Sequence, residues 1–153
     1  MDHVSSPRLL IKEKTFPLEL ILECIGADLE KVDQEFRKNL RSDVPVISAI
    51  GEYLLLSGGK RFRAQLLLLS AKLCGYPGEN HISMASLIEF IHTATLLHDD
   101  VVDKAKLRRG IESANSKWGN EACVLVGDFL FTKCFTRMVE SGNWKILRTI
   151  SGA

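Results

Sequence analysis

HISMASLIEFIHTATLLHDDVVDK, residues 81–104, is a long apolar segment that ends in a cluster of acids. It is too long for a strand, and its richness in Leu, Ile and Ala favours one continuous helix. On that helix Asp99 and Asp103 are four residues apart, so their carboxylates lie one above the other on one face. His92, seven residues before Asp99, shares the same stripe. Two like charges at that spacing destabilise a helix unless a cation binds between them. Hard carboxylate oxygens with room for water suit Mg²⁺, which commonly takes one or two protein carboxylates and completes its shell with water and phosphate oxygens. Taken alone, the acidic triplet Asp99, Asp100 and Asp103 fits a solvated helix end equally well. The apolar helix before it and the basic loop after it argue against ordinary surface.

Outward from this helix the chain keeps a helical rhythm. Gly75-Tyr76-Pro77-Gly78 is a stop and turn on its N-terminal side. Before that, a helix is expected from Phe62 to Leu73. Its run Leu66-Leu67-Leu68-Leu69 is apolar all round, which predicts burial on every side. Leu18, Leu22, Ile25, Leu29, Val32, Phe36 and Leu40 recur at three- and four-residue steps, the stripe of one amphipathic helix that Pro17 would start. Pro45 breaks the pattern. A shorter stripe through Val46, Ile47, Ile50, Tyr53 and Leu54 then runs to Ser57-Gly58-Gly59. Downstream, Lys106-Leu107-Arg108-Arg109-Gly110 reads as a basic loop, Asn120 to Val139 as a long apolar helix, and Trp144 as the start of a further helix. Residues 1–16 read as a poorly structured lead. With no repeat and no convincing strand pattern, the fold class is all-α. The long helices carry more apolar face than they could cover among themselves, which points to further chain or a partner subunit as the missing cover.

Composition agrees. The 153 residues are 46% hydrophobic, 25% charged and 7% aromatic, with a formal charge of +1. That is globular, and it offers no broad basic field for nucleic acid. No stretch reaches the roughly 18 charge-free apolar residues of a membrane span, and the N-terminus has no signal-peptide core, so the expected location is the cytoplasm. Cys24, Cys74, Cys123 and Cys134 lack metal-site spacing. Cys74, Cys123 and Cys134 lie in apolar segments and are expected to be buried free thiols.

Two basic clusters flank the acidic helix. In Gly58-Gly59-Lys60-Arg61-Phe62-Arg63, two glycines allow close approach of a ligand to the backbone, and three cations sit at a helix start whose free N–H groups also favour anions. The pattern is not a P-loop, and alone it reads as a capped helix start with solvated charges. Arg108-Arg109-Gly110 offers two guanidinium groups that can hold two different anions. Alone it reads as a surface loop. Together, the clusters and the acidic stripe are what two diphosphates with hydrocarbon tails would need.

These residues resemble the trans-prenyl diphosphate synthases, particularly the long-chain octaprenyl and solanesyl type. Gly58 to Arg63 resembles the GGKRxRP motif, with Ala64 in place of Pro, and Ile91 to Asp103 the first aspartate-rich motif. Arg108-Arg109-Gly110, Trp118 to Ala122 and Val126 to Leu130 are similar as well. The resemblance implies the all-α isoprenoid synthase bundle, usually a homodimer, and a 1′-4 head-to-tail condensation of an allylic diphosphate with isopentenyl diphosphate. It implies Mg²⁺ at Asp99 and Asp103 with Asp100 supporting, and Arg108 on the allylic diphosphate. Lys60, Arg63, His92 and Arg109 would hold isopentenyl diphosphate. Ala94 and Thr95, small residues before the first Asp, would form the cavity floor that sets product length, unless they merely pack a helix contact. A second aspartate-rich motif has no counterpart after Asp103. Residues 17–153 therefore read as the N-terminal, truncated part of a synthase domain, inactive by itself. Two alternatives are a non-catalytic helical subunit that binds a prenyl diphosphate or a partner synthase, and a terpene cyclase, in which the Gly-Gly-Lys-Arg segment would be unexpected.

Overall fold

The computed structural model describes residues 18–152, and the side chain of Leu18 is not included. The lead read over residues 1–16 and the helix start at Pro17 lie outside the described residues. The described chain forms eight helices: α1 (Leu18–Glu23), α2 (Gly26–Leu40), α3 (Pro45–Leu56), α4 (Phe62–Leu73), α5 (Asn80–Val102), α6 (Ala114–Trp118), α7 (Asn120–Glu140) and α8 (Trp144–Ser151). Between α5 and α6 lies a two-stranded antiparallel hairpin, β1 (Leu107–Arg108) and β2 (Ile111–Glu112). The all-α reading holds.

α5 is the axis of the assembly and packs against α7, α4 and α2. Phe90, Ala94 and Leu97 of α5 are fully buried with Cys123, Val126, Leu130 and Cys134 of α7. On another side of α5, Phe90 stacks on Phe36 of α2, ring centroids 4.2 Å apart and planes 16° from parallel. A second cluster joins Ile25 and Val32 to Ala64 and Leu68 of α4 and to Ile82 and Ala85 of α5. α5 is therefore held along its length, and side chains near its C-terminal end are fixed by a rigid frame.

Several expectations are corrected. The stripe over residues 18–40 is two helices, broken at Cys24 and Ile25. Ile25 leaves helical geometry at φ −119° and ψ 3°, which seats its side chain among α4 and α5 residues. α4 buries one face only: Leu68 is fully buried, whereas Leu66 is 50% exposed and Phe62 and Leu73 are more exposed still. All-round hydrophobicity predicted all-round burial, but among the described residues α2 and α5 cover a single side of α4. Cys74 is exposed, because it caps the C-terminus of α4 beyond the last buried turn. Cys123 and Cys134 are buried as expected, and burial pushes their thiols up to about 11 and about 12, so both stay protonated and unreactive. The hairpin and α6 were not legible, since strands of two residues show no alternation and a helix of five shows no stripe. No described helix is long and apolar enough to cross a membrane.

Candidate active site

α3, the loop after it, α4, the middle of α5 and the hairpin surround a cavity of about 700 Å³. Its wall contains Lys60, Arg63, His92, Arg108 and Arg109, every residue that the resemblance assigned to diphosphate binding. These positions are separated by up to 49 residues in the sequence, and the fold brings them together around one space. Leu54, Leu96 and the ring of Phe62 add apolar wall.

The glycine loop delivers its cations unequally. Lys60 and Arg63 are exposed and make no ion pair among the described residues. Arg61 is turned away from solvent. Its Nε donates to Asp33 Oδ1 at 3.1 Å, and its guanidinium lies 5.4 Å from the Phe36 ring centre. The three cations read as one anion-binding group are thus two free charges and one structural ion pair. A Cβ at Gly59 would lie 2.9 Å from Arg109 Nη1, so a side chain there would require the hairpin arginine to shift.

The hairpin presents the paired arginines by a two-residue turn. Arg109 and Gly110 have φ of 54° and 83°, and a left-handed backbone is costly for arginine. The turn fits the right-handed twist of the strands and sends the two side chains in different directions. Arg108 Nε and Nη2 donate to the two carboxylate oxygens of Asp100 at 2.7 and 2.6 Å. This fork, with the nearby Asp99 and Asp103 charges adding to it, holds the guanidinium proton more tightly than usual. Arg108 Nη1 makes no hydrogen bond among the described residues, and Arg108 stands in the cavity wall. Behind the pair, the Asp100 carbonyl accepts from Ala105 N at 2.9 Å and Asn115 Nδ2 at 3.1 Å, closing the end of α5.

The three aspartates therefore separate. Asp100 is only 2% exposed and committed to Arg108. Asp99 and Asp103 are exposed and unpaired among the described residues. Two free carboxylates one turn apart fit a Mg²⁺ ion that keeps positions for water and phosphate oxygens. No group of three or more His, Cys, Asp or Glu among the described residues could hold a metal, so the described residues offer that pair and no closed cage. Ala94 is fully buried in the α5–α7 core, while Thr95 is half-buried, its hydroxyl donating to the His92 carbonyl at 2.8 Å. Next to the acids, His98 stacks on Phe131 and lies against Gly127, where a Cβ would displace the imidazole from its present position. Residues that sequence reasoning missed include Glu89, buried in the cavity wall, and Asn115. A lone Glu inside an apolar helix was the available signal for the first.

His92 is pushed below its ordinary 6.5, first by burial and then by the charge of Arg63, with Arg109 and Arg108 adding and Glu89 opposing. It is therefore neutral at pH 7. Below 6.5 the unfolded chain takes up a proton that the folded one refuses, so stability falls with pH from there until the lower folded value is reached. We expect His92→Gln to flatten this loss. Urea midpoints of the two proteins at pH 7.5 and 5.5 measure it, and equal pH slopes would contradict it.

Comparison with known proteins bears on the family and the fold. The profile of the polyprenyl synthetase family matches residues 44–153, which include the whole cavity wall. The chain is 47% identical over 136 residues to octaprenyl diphosphate synthase of Escherichia coli (strain K12), covering 89% of this chain and 42% of that protein. It is 39% identical over 132 residues to an all-trans-nonaprenyl-diphosphate synthase of Rhodobacter capsulatus, covering 86% of this chain and 41% of that one. A polyprenyl synthase from Caulobacter crescentus, solved with calcium and isoprenyl diphosphate, superposes with a TM-score of 0.85 at 40% identity, over 90% of this chain and 42% of its own. This chain thus spans about two fifths of the length of these relatives. With a family profile across most of the chain and the same helical frame in a solved relative, the chain belongs to the polyprenyl synthetase family.

Proposed function

We propose that this chain carries the diphosphate-binding residues of a long-chain trans-prenyl diphosphate synthase, which joins an allylic diphosphate to isopentenyl diphosphate head to tail. The observation that supports it most is the convergence of Lys60, Arg63, His92, Arg108 and Arg109 on one cavity, with two unpaired carboxylates at the end of the same helix. Lys60, Arg63, neutral His92 and Arg109 hold isopentenyl diphosphate. Arg108 offers Nη1 to the allylic diphosphate while Asp100 keeps its guanidinium oriented. Asp99 and Asp103 hold Mg²⁺, which when bound supplies positive charge to the departing diphosphate. The bound calcium and isoprenyl diphosphate of the Caulobacter relative favour a divalent ion beside such a ligand. In the reaction the allylic C–O bond breaks, the isopentenyl double bond attacks the cation, and a proton is lost from the adduct. The cations of this chain orient both diphosphates and stabilise the charge that leaves, and the apolar wall keeps water from the cation. Neither Ala94 nor Thr95 lines the cavity; Ala94 is packed in the α5–α7 core, so of the two small residues only half-buried Thr95 would leave room for a long tail. Relatives named for octaprenyl and nonaprenyl products are in keeping with that length. The acting enzyme would be a cytoplasmic homodimer. Turnover would need a second aspartate-rich motif, of which residues 104–153 carry no copy.

Calorimetric titration with isopentenyl diphosphate tests the site. Lys60→Ala with Arg63→Ala is expected to weaken binding by about 100-fold, from the loss of two charge-assisted contacts. Unchanged affinity would reject the assignment. Incubation of this chain alone with farnesyl diphosphate, isopentenyl diphosphate and Mg²⁺ is expected to yield no long-chain product, and robust synthesis would overturn the requirement for the second motif.

A further inference from the structure

Among the described residues, Glu89 is the one acidic residue in the wall of a cavity whose other charged groups are cations, and only 4% of it is exposed. A carboxylate at that depth is costly unless its oxygens are satisfied. One oxygen is hydrogen-bonded and the other lies at ion-pair distance from a cation, and both partners belong to the glycine-loop segment. Oε1 accepts the backbone N–H of Ala64 at 3.1 Å. Oε2 lies 3.9 Å from Arg61 Nη1.

Ala64 is the third residue of α4, and its amide is one of those that a helix start leaves without a partner. The residue in the capping position, Arg61, supplies no side-chain cap. It has a left-handed backbone at φ 47°, where an arginine persists only if its surroundings hold it. Glu89 therefore caps α4 from across the helix interface and, by its second oxygen, helps pin the strained residue that begins the helix. Asp33 and the Phe36 ring hold the same guanidinium from α2. The backbone carbonyl of Lys60 accepts from Gln65 Nε2 at 2.6 Å, which ties the loop to the first turn of α4.

The positions of these ties matter. Lys60 precedes Arg61, and Arg63 precedes Ala64. Each free cation thus neighbours a residue that Glu89 grips, while Glu89 spends its charge on Arg61 and a backbone amide, leaving the two cations open to a ligand. We propose that Glu89 is a positioning residue: from α5 it fixes the geometry of residues 60–64, so that Lys60 and Arg63 face the cavity unpaired. It acts through Arg61 and Ala64 and needs no contact with the ligand. The consequence for diphosphate affinity rests on the function proposed above; the hold on the loop does not.

Two variants of this chain separate these points, Glu89→Gln and Glu89→Ala, read by amide hydrogen exchange and by titration with inorganic pyrophosphate. Gln keeps an acceptor for Ala64 N–H, so exchange across residues 57–66 is expected within about threefold of wild type. Ala removes the acceptor, and exchange there is expected to rise at least about tenfold, with the buried amides of α7 unchanged. Pyrophosphate affinity is expected to fall about tenfold in the Ala variant and less in the Gln variant. Wild-type exchange at 57–66 in the Ala variant overturns the proposal. So does an equal rise in α7, which would make Glu89 a general support of the fold. Failure of the wild-type chain to bind pyrophosphate counts against the diphosphate site, while the exchange pattern still decides the role of Glu89. Should Glu89→Ala not fold, Arg61→Gln releases the other oxygen. It is expected to raise exchange over 57–64 alone, and protection unchanged from wild type would overturn the proposal.

Discussion

Arg108→Ala is expected to destabilise the chain by about 3 kcal/mol, because it leaves the Asp100 carboxylate buried without its partner. Asp100 is nearly inaccessible, and both its oxygens are taken by one guanidinium at 2.7 and 2.6 Å. Truncating Arg108 leaves both Asp100 oxygens without their donor, so the desolvation cost stays while the compensation goes. Arg108→Lys keeps a charge but offers no fork, and should recover part of the loss. Removing both charges together, as Asp100→Asn with Arg108→Gln, should cost less than the sum of the single changes. Urea unfolding of the four proteins gives the coupling by a double-mutant cycle. A loss below about 0.5 kcal/mol for Arg108→Ala, the range of an exposed pair, would show that Asp100 is hydrated in solution. Because the hairpin that presents Arg109 is anchored by this pair, the same variant should loosen residues 107–112 as well.

Phe90→Ala is expected to cost more, about 4 kcal/mol, in line with deletion of a fully buried aromatic ring. Phe90 has no exposed surface and stacks on Phe36. Phe36 in turn lies beneath the Arg61 guanidinium, so the deletion would remove the ring that supports Phe36 under the loop carrying Lys60. Against a typical total of roughly 5–15 kcal/mol, such a loss removes a large share of stability. Phe90→Leu preserves most of the volume and should cost about 1.5 kcal/mol or less. Equilibrium unfolding in urea measures both. A loss below about 1.5 kcal/mol for Phe90→Ala would mean that α2 and α5 collapse onto the vacated space instead of holding it open.

Much of the frame was legible from local pattern. The spacing predicts one long helix over residues 81–104 and another over 120–139, and the structure has them at Asn80–Val102 and Asn120–Glu140. Long helices of continuous apolar character leave a strong periodic signal, and their ends are marked by turn residues such as Gly75-Tyr76-Pro77-Gly78. The one-face placement of Asp99 and Asp103 follows from helical pitch alone. The break at Ile25 was illegible because the stripe continues in phase through it. It takes the surfaces of α4 and α5 to show why Ile25 leaves the helix.

The aspartate cluster marks the boundary between the two kinds of knowledge. Residue type and spacing determined that three acids stand at the end of an apolar helix, that two share a face, and that arginines follow. Only tertiary structure decided that Asp100 is spent on Arg108 while Asp99 and Asp103 stay free. It likewise decided that Arg61 turns inward to Asp33 and Glu89 while Lys60 and Arg63 face the cavity. Periodicity is a property of neighbours along the chain. Whether a charge is buried and paired, or left open to bind, depends on which distant side chain the fold brings within 3 Å of it.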